Sequence, residues 1–175
     1  MSIKLWPPVH DPARLPQIIF MSRRSRAREI VLQVLYQNEL NPEQPDQVRT
    51  RFVEARLGHN DKLVAFARSL IEGIREQREA LDIELEKTAR NWRLSRMAAT
   101  DRNVLRLGAY ELLHTDAPGR VVINEAIELA RRYGSDNSAS FVNGMLDKLM
   151  KLKAQGELVR DGNPAPATTE ETQKD

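Results

Sequence analysis

The chain has no cysteine among its 175 residues. That removes disulfides, thiolate nucleophiles and Cys-ligated zinc together, and it fits a reducing compartment. Histidine is nearly as scarce: His10, His59 and His114 are scattered without ligand-like spacing, so neither a metal nor another cofactor is expected. No apolar run approaches the roughly 20 residues that a bilayer span requires. The first twenty residues are broken by Pro7, Pro8, Pro12 and Pro16 and do not read as a secretory signal. A soluble, cytoplasmic protein is expected. There is no Ser-His-Asp set, no HExxH and no phosphate-binding glycine loop, so an enzyme is not expected. Aromatic residues are only 5%, and the formal net charge of +2 is too small to argue for nucleic acid by itself.

What is present is an ordinary globular mixture, 41% hydrophobic and 30% charged, long enough for one domain with a real core. The middle is rich in Ala, Leu, Glu, Arg and Ile, which favours helix. Ile30, Val31, Val34 and Leu35, widened by Leu32 and Tyr36, predict a helix over 22–40, and Asn41-Pro42 ends it. A second helix is expected over 46–56, burying Val48, Phe52 and Val53. Gly58 and Asn60 separate it from a third, whose apolar face is Leu63, Val64, Ala67, Leu70, Ile71 and Ile74. Leu81, Ile83 and Leu85 carry a fourth toward Ala89, and the chain turns around Asn91-Trp92-Arg93-Leu94.

A fifth helix over 99–114 presents Val104, Leu105, Leu107, Leu112 and Leu113. Pro118-Gly119 reads as a break before a sixth over 122–133 with Val122, Ile123, Ala126, Ile127 and Ala130. Gly134 stands where a left-handed residue would stop that helix. Ser135, Asp136, Asn137 and Ser138 are all potential caps for a seventh, pinned to the core by Phe141, Val142, Met145, Leu146 and Leu149. No strand signal competes, so the fold class is all-α. Residues 1–21 read as an extension, either a flexible arm or a start placed upstream of a natural one at Met21. The helical domain spans 22–153. The polar 154–175 segment reads as a disordered acidic tail, with five acids against two bases from residue 157 onward, a net of −3.

Arg23, Arg24, Arg26 and Arg28 crowd the opening of the first helix. A helix N-terminus is electropositive, and each misplaced cation costs about 0.3–1 kcal/mol at low salt. Four there serve stability poorly and suit an anion, since the guanidinium fork matches phosphate. A merely solvated basic end remains the competing reading, and Glu29 partly offsets the cluster. The Gly134–Ser138 turn offers backbone N–H groups at a helix start, with Phe141 one turn in as a base-stacking candidate worth about 1–3 kcal/mol. Plain capping with Phe141 in the core is the alternative. Tyr36 is either a core tyrosine or a stacking platform. Gly73, Gly108 and Gly144 inside helices suggest close helix–helix approach. Glu125 and Glu128 read as a solvated face or as a clamp on backbone and arginine.

Three blocks then resemble one family. They are Ser22-Arg23-Arg24-Ser25-Arg26-Ala27-Arg28-Glu29 with Gln33-Val34-Leu35-Tyr36-Gln37; Asn91-Trp92-Arg93-Leu94 through Asp101-Arg102-Asn103-Val104-Leu105-Arg106-Leu107-Gly108-Ala109-Tyr110-Glu111-Leu112; and Val121-Val122-Ile123-Asn124-Glu125-Ala126-Ile127-Glu128-Leu129-Ala130 with Arg132-Tyr133-Gly134 and Phe141-Val142-Asn143-Gly144-Met145-Leu146-Asp147-Lys148-Leu149. In order, over 22–152, they resemble the NusB family of transcription antitermination proteins. The resemblance implies about seven helices in two stacked helical-bundle subdomains. It implies binding of single-stranded boxA RNA from ribosomal RNA leaders with a small-subunit ribosomal protein, NusE, and indirect action on the RNA polymerase elongation complex.

Carried over by position, Arg23, Arg24, Arg26 and Arg28 become phosphate and base contacts, and Tyr36 and Phe141 RNA-facing aromatics. Asn137 occupies a turn position that is acidic in some members, where a neutral amide removes repulsion toward phosphate. Asp101, Arg102, Arg106 and Glu111 are the expected partner surface. A homodimer covering its own RNA surface also occurs in the family, and the sequence does not decide for or against it. Ala98 replaces a capping Ser, forfeiting about 1 kcal/mol unless Thr100 takes over, and Ser25 interrupts the arginine run. The alternatives are the NusB-like accessory module of ribosomal RNA cytosine methyltransferases, which needs a catalytic domain with cysteines, a structural assembly partner, and a helix-turn-helix DNA binder. With about four phosphates neutralised, the logarithmic salt slope is expected near −3. Replacing Arg24, Arg26 and Arg28 by Ala is expected to weaken RNA binding without loss of helix.

Overall fold

A computed structural model describes residues 22–58, 60–89 and 93–156. Seven α-helices follow in order: α1 Arg23–Leu40, α2 Asp46–Arg56, α3 Asp61–Glu76, α4 Arg78–Ala89, α5 Ala99–His114, α6 Gly119–Tyr133 and α7 Ser138–Gln155, with a 3-10 turn at Leu94–Arg96 before α5. No strand occurs among the described residues, and no helix there is long and apolar enough to cross a membrane. The helices group as α1–α3 and α4–α7, and α5 packs on α1 and α3 as well as on α4, α6 and α7.

Two helices are central. Every residue of α1 from Ala27 to Leu35 is buried, and so is every residue of α5 from Asn103 to Ala109. A helix buried all round must bring its polar residues inside too. That is why Arg28, Glu29, Gln33, Asn103, Arg106 and Glu111 lie among Ile30, Leu32, Leu105 and Leu107. The outer helices show the one-sided pattern instead, as in α3, where Val64, Ala67, Leu70, Ile71 and Ile74 face in. Two expected core residues do not: Val48 in α2 is 46% exposed and Ile83 in α4 is 53% exposed. Their helices present a narrower apolar stripe, centred on Val53 and on Leu81 and Leu85.

Helix ends explain the other departures. Ser22 caps α1 by accepting the Ser25 N–H at 3.1 Å. Pro118 is the N-cap of α6, so this helix begins three residues before the expected Val122. Proline is tolerated there because its missing N–H would have no intrahelical partner. Gly134 is not left-handed; its φ of −93° is available to any residue. Glycine is needed because a Cβ would stand 2.5 Å from Ser138 Cβ and 2.7 Å from the Ala130 carbonyl oxygen. The left-handed stop belongs to Gly156, φ 73°, which ends α7. The helix therefore runs past the expected boundary at 153. Close approach also explains Gly73, whose Cβ would overlap Tyr110, and Gly108, whose Cβ would meet Leu146, but Gly144 has nothing within 4 Å. Ala98 caps α5 with no side-chain bond, and Thr100 is buried.

The proline-bearing 1–21, the Trp92 turn and the acidic 157–175 lie outside the described residues.

Candidate nucleic-acid interface

At roughly 100° per residue, four arginines in one sequence run do not share one face. Arg24 and Arg28 point to one flank of α1, Arg23 and Arg26 to the other. Arg23 and Arg24 are exposed. The first turn of α1 contains no acid of its own, so the carboxylate nearest this electropositive helix end comes from another helix, Glu125 of α6 bonded to Ser25. Arg24 holds its guanidinium carbon 5.0 Å from the centroid of the Phe66 ring of α3. There the cation is attracted to the negative ring face. Arg26 donates to Glu29 at 2.5 Å and keeps 41% of its side chain exposed.

Arg28 corrects the expectation. It is 4% exposed and donates twice to Glu111, through Nε at 2.8 Å and Nη2 at 2.7 Å. Burial works against its charged form. The Glu111 hydrogen bond and the charges of Glu111 and Glu125 outweigh this and hold the guanidinium above its ordinary value. Arg28 is thus a largely buried strut between α1 and α5, at the floor of a cleft that it lines with Arg24, Phe66 and Glu125.

The same correction removes two of the four residues of the expected partner surface, Arg106 and Glu111; Asp101 and Arg102 remain half-buried. Glu111 is 2% exposed and spent on Arg28. Arg106, 4% exposed, donates to Asp82 through Nε at 2.7 Å and Nη2 at 2.8 Å, and to Glu39 at 3.2 Å. Arg102 donates to the carbonyls of Leu94 and Met97 at 2.8 and 2.9 Å, and to Glu39, pinning the turn before α5. Asp101 accepts the Ser138 hydroxyl at 2.8 Å. These side chains tie helices together. Burial raises the cost of ionising Glu39, yet hydrogen bonds from Arg102 and Asn103, with the charges of Arg102 and Arg106, keep its carboxyl below the ordinary range.

The turn before α7 is also more occupied than expected. The Ser135 N–H is bonded to Ser138 Oγ at 2.8 Å and the Ser138 N–H to the Ser135 carbonyl at 3.0 Å. Through Ser138, the carboxylate of Asp101 already sits beneath this helix start, where a phosphate would otherwise be drawn. Asn137 is the N-cap, exposed, and its side chain makes no cap bond. Phe141 packs against the core, and Tyr36 is half-buried.

Sequence reasoning missed a second junction. Ser25 donates to Glu125 of α6 at 2.6 Å, which explains the interruption of the arginine run. Glu29, with 6% of its side chain exposed, accepts from Arg26, from Arg132 at 3.4 Å and from the Tyr133 hydroxyl. Burial alone would raise its pKa. Hydrogen bonds from Tyr133 and Arg26 and the charges of Arg26 and Arg132 keep it low, while burial and Glu29 push the Tyr133 hydroxyl up to about 12. Arg132 thereby stands beside Arg26, adding a cation from α6 to the mouth of α1. Its only sequence signal was the Arg131-Arg132-Tyr133 run.

The family model for the NusB family matches residues 25–151. A transcription antitermination protein NusB from Anaeromyxobacter dehalogenans is 49% identical over 128 residues, 73% of this chain and 90% of that protein. A solved structure, "T. maritima NusB", is similar at a TM-score of 0.67 and 39% identity, covering 77% of this chain and 97% of its own. A second, from a complex of the antitermination factors NusB and NusE with double-stranded RNA, has a TM-score of 0.66 and 30% identity, covering 74% and 96%. With the family model spanning most of the helical region and these relatives matched almost end to end, the chain belongs to the NusB family of transcription antitermination proteins.

Proposed function

We propose that this protein binds boxA-type single-stranded RNA of ribosomal RNA transcripts together with the ribosomal protein NusE, and so keeps transcription from terminating early. It acts by binding, with no catalysis of its own, and work on a nascent transcript is cytoplasmic. The observation that carries the reading is the cationic opening of α1: Arg23 and Arg24 are exposed at a helix start whose first turn holds no acid of its own, and Arg26 and Arg132 stand just beyond them, sharing Glu29. Tyr36, Asn137 and Phe141 complete the proposed RNA face, and Arg28 drops out of it. The NusB neighbour solved with NusE and RNA supports the choice of partners.

Fluorescence anisotropy of a labelled boxA strand at several salt concentrations, with and without NusE, tests this. With Arg28 internal, about three phosphates are neutralised and the logarithmic salt slope is near −2. NusE tightens binding to boxA over a scrambled strand and over duplex DNA. Equal affinity for boxA and scrambled RNA in the presence of NusE contradicts specific recognition.

A further inference from the structure

Glu29 is a carboxylate on a helix whose opening is otherwise built for an anion. It is buried beneath two arginines from different helices, Arg26 of α1 at 2.5 Å and Arg132 of α6 at 3.4 Å, and the Tyr133 hydroxyl donates to it as well. The two arginines keep 41% and 33% of their side chains in solvent, against 6% for Glu29. One turn earlier, the Ser25–Glu125 bond at 2.6 Å holds the same two helices together. Within the trio the arginines form the exposed side and Glu29 the buried side, while half-buried Glu125 closes the junction one turn earlier.

We propose that Arg26 and Arg132 form a clamp for a single RNA backbone phosphate, with Glu29 beneath them as the positioning residue. The proposal rests on the RNA-binding reading above and adds a site to it. Two guanidiniums brought this close repel each other. The shared carboxylate offsets that repulsion and still leaves the trio with one net positive charge. A guanidinium has five N–H donors in a fixed fork, so the carboxylate contact does not by itself exhaust either arginine. Two forks converging from different helices match the several oxygens of one phosphate. Glu29 does not touch the RNA; it fixes where the forks point.

Glu29→Gln separates this from simple charge. The substitution keeps the side-chain size and makes the protein more positive by one unit. Bulk electrostatics therefore gives tighter RNA binding, whereas the clamp gives weaker binding by about tenfold, the equivalent of one charge-assisted hydrogen bond. A second measurement does not depend on Glu29 being replaceable. The salt slope for the labelled boxA strand is measured for Arg26→Ala, Arg132→Ala and the double variant, with folding checked by circular dichroism. If both arginines grip one phosphate, each single variant and the double all lose about 0.7 of slope; two separate phosphates give about 1.4 for the double. Tighter binding by Glu29→Gln, or additive slopes, overturns the clamp while RNA binding stands. Failure of the unaltered protein to bind the single strand with NusE present sinks the functional reading itself.

Discussion

Four arginines that look alike in sequence have three different surroundings. Arg23 and Arg24 are exposed, Arg26 is tethered to Glu29, and Arg28 is locked to Glu111. Alanine at these positions therefore has unequal consequences. Removing one member of a buried ion pair strands the other, so Arg28→Ala costs about 3–5 kcal/mol in urea unfolding, while Arg23→Ala stays within about 0.5 kcal/mol. A triple replacement of Arg24, Arg26 and Arg28 mixes both effects, and the pair Arg24 and Arg26 is the informative one. Acid reports on Glu39 in the same way. Its folded-state pKa lies below the ordinary 4.5, so the stabilisation it brings is complete above that value and is lost as pH falls through the lowered folded value. The urea midpoint therefore drops with acidification in that window, and the Glu39→Gln protein shows a flatter profile.

The helices themselves were largely legible, because apolar periodicity, Asn41-Pro42 and the Ser22 cap are all local signals. What was not legible was which polar residues go inside. The partners that decide it are remote: Arg28 and Glu111 are 83 residues apart, Ser25 and Glu125 100, Arg132 and Glu29 103. No local spacing reveals such pairs, and so Arg106 and Glu111 read as surface. Glycine taught the same lesson, since Gly134 is required by the nearby Ala130 carbonyl and Ser138 rather than by its own backbone angle. Gly134→Ala forces that contact apart and costs about 1–3 kcal/mol, as overpacking does. Gly144→Ala, mid-helix with open space around it, stabilises by about 0.4–1 kcal/mol. Paired thermal melts compare the two.

Among the described residues, α1 and α5 form the internal axis and the other helices enclose them, with Ser22, Arg23 and Arg24 exposed at the start of α1. The buried pair Arg28–Glu111 and the half-buried pair Arg106–Asp82 hold α1, α4 and α5 in register. The exposed Arg23 and Arg24 gather at that end with the half-buried Arg26 and with Arg132 beside it. The charged residues thus divide into an internal frame and an outward cationic group, the group proposed to grip RNA. Photo-cross-linking of 4-thiouridine-substituted boxA RNA to the NusE-bound protein, followed by peptide mapping, tests that division most directly. Cross-links within residues 23–36 and 132–141 are the predicted result. Cross-links confined to α2, α3 or the outer face of α4 would contradict it.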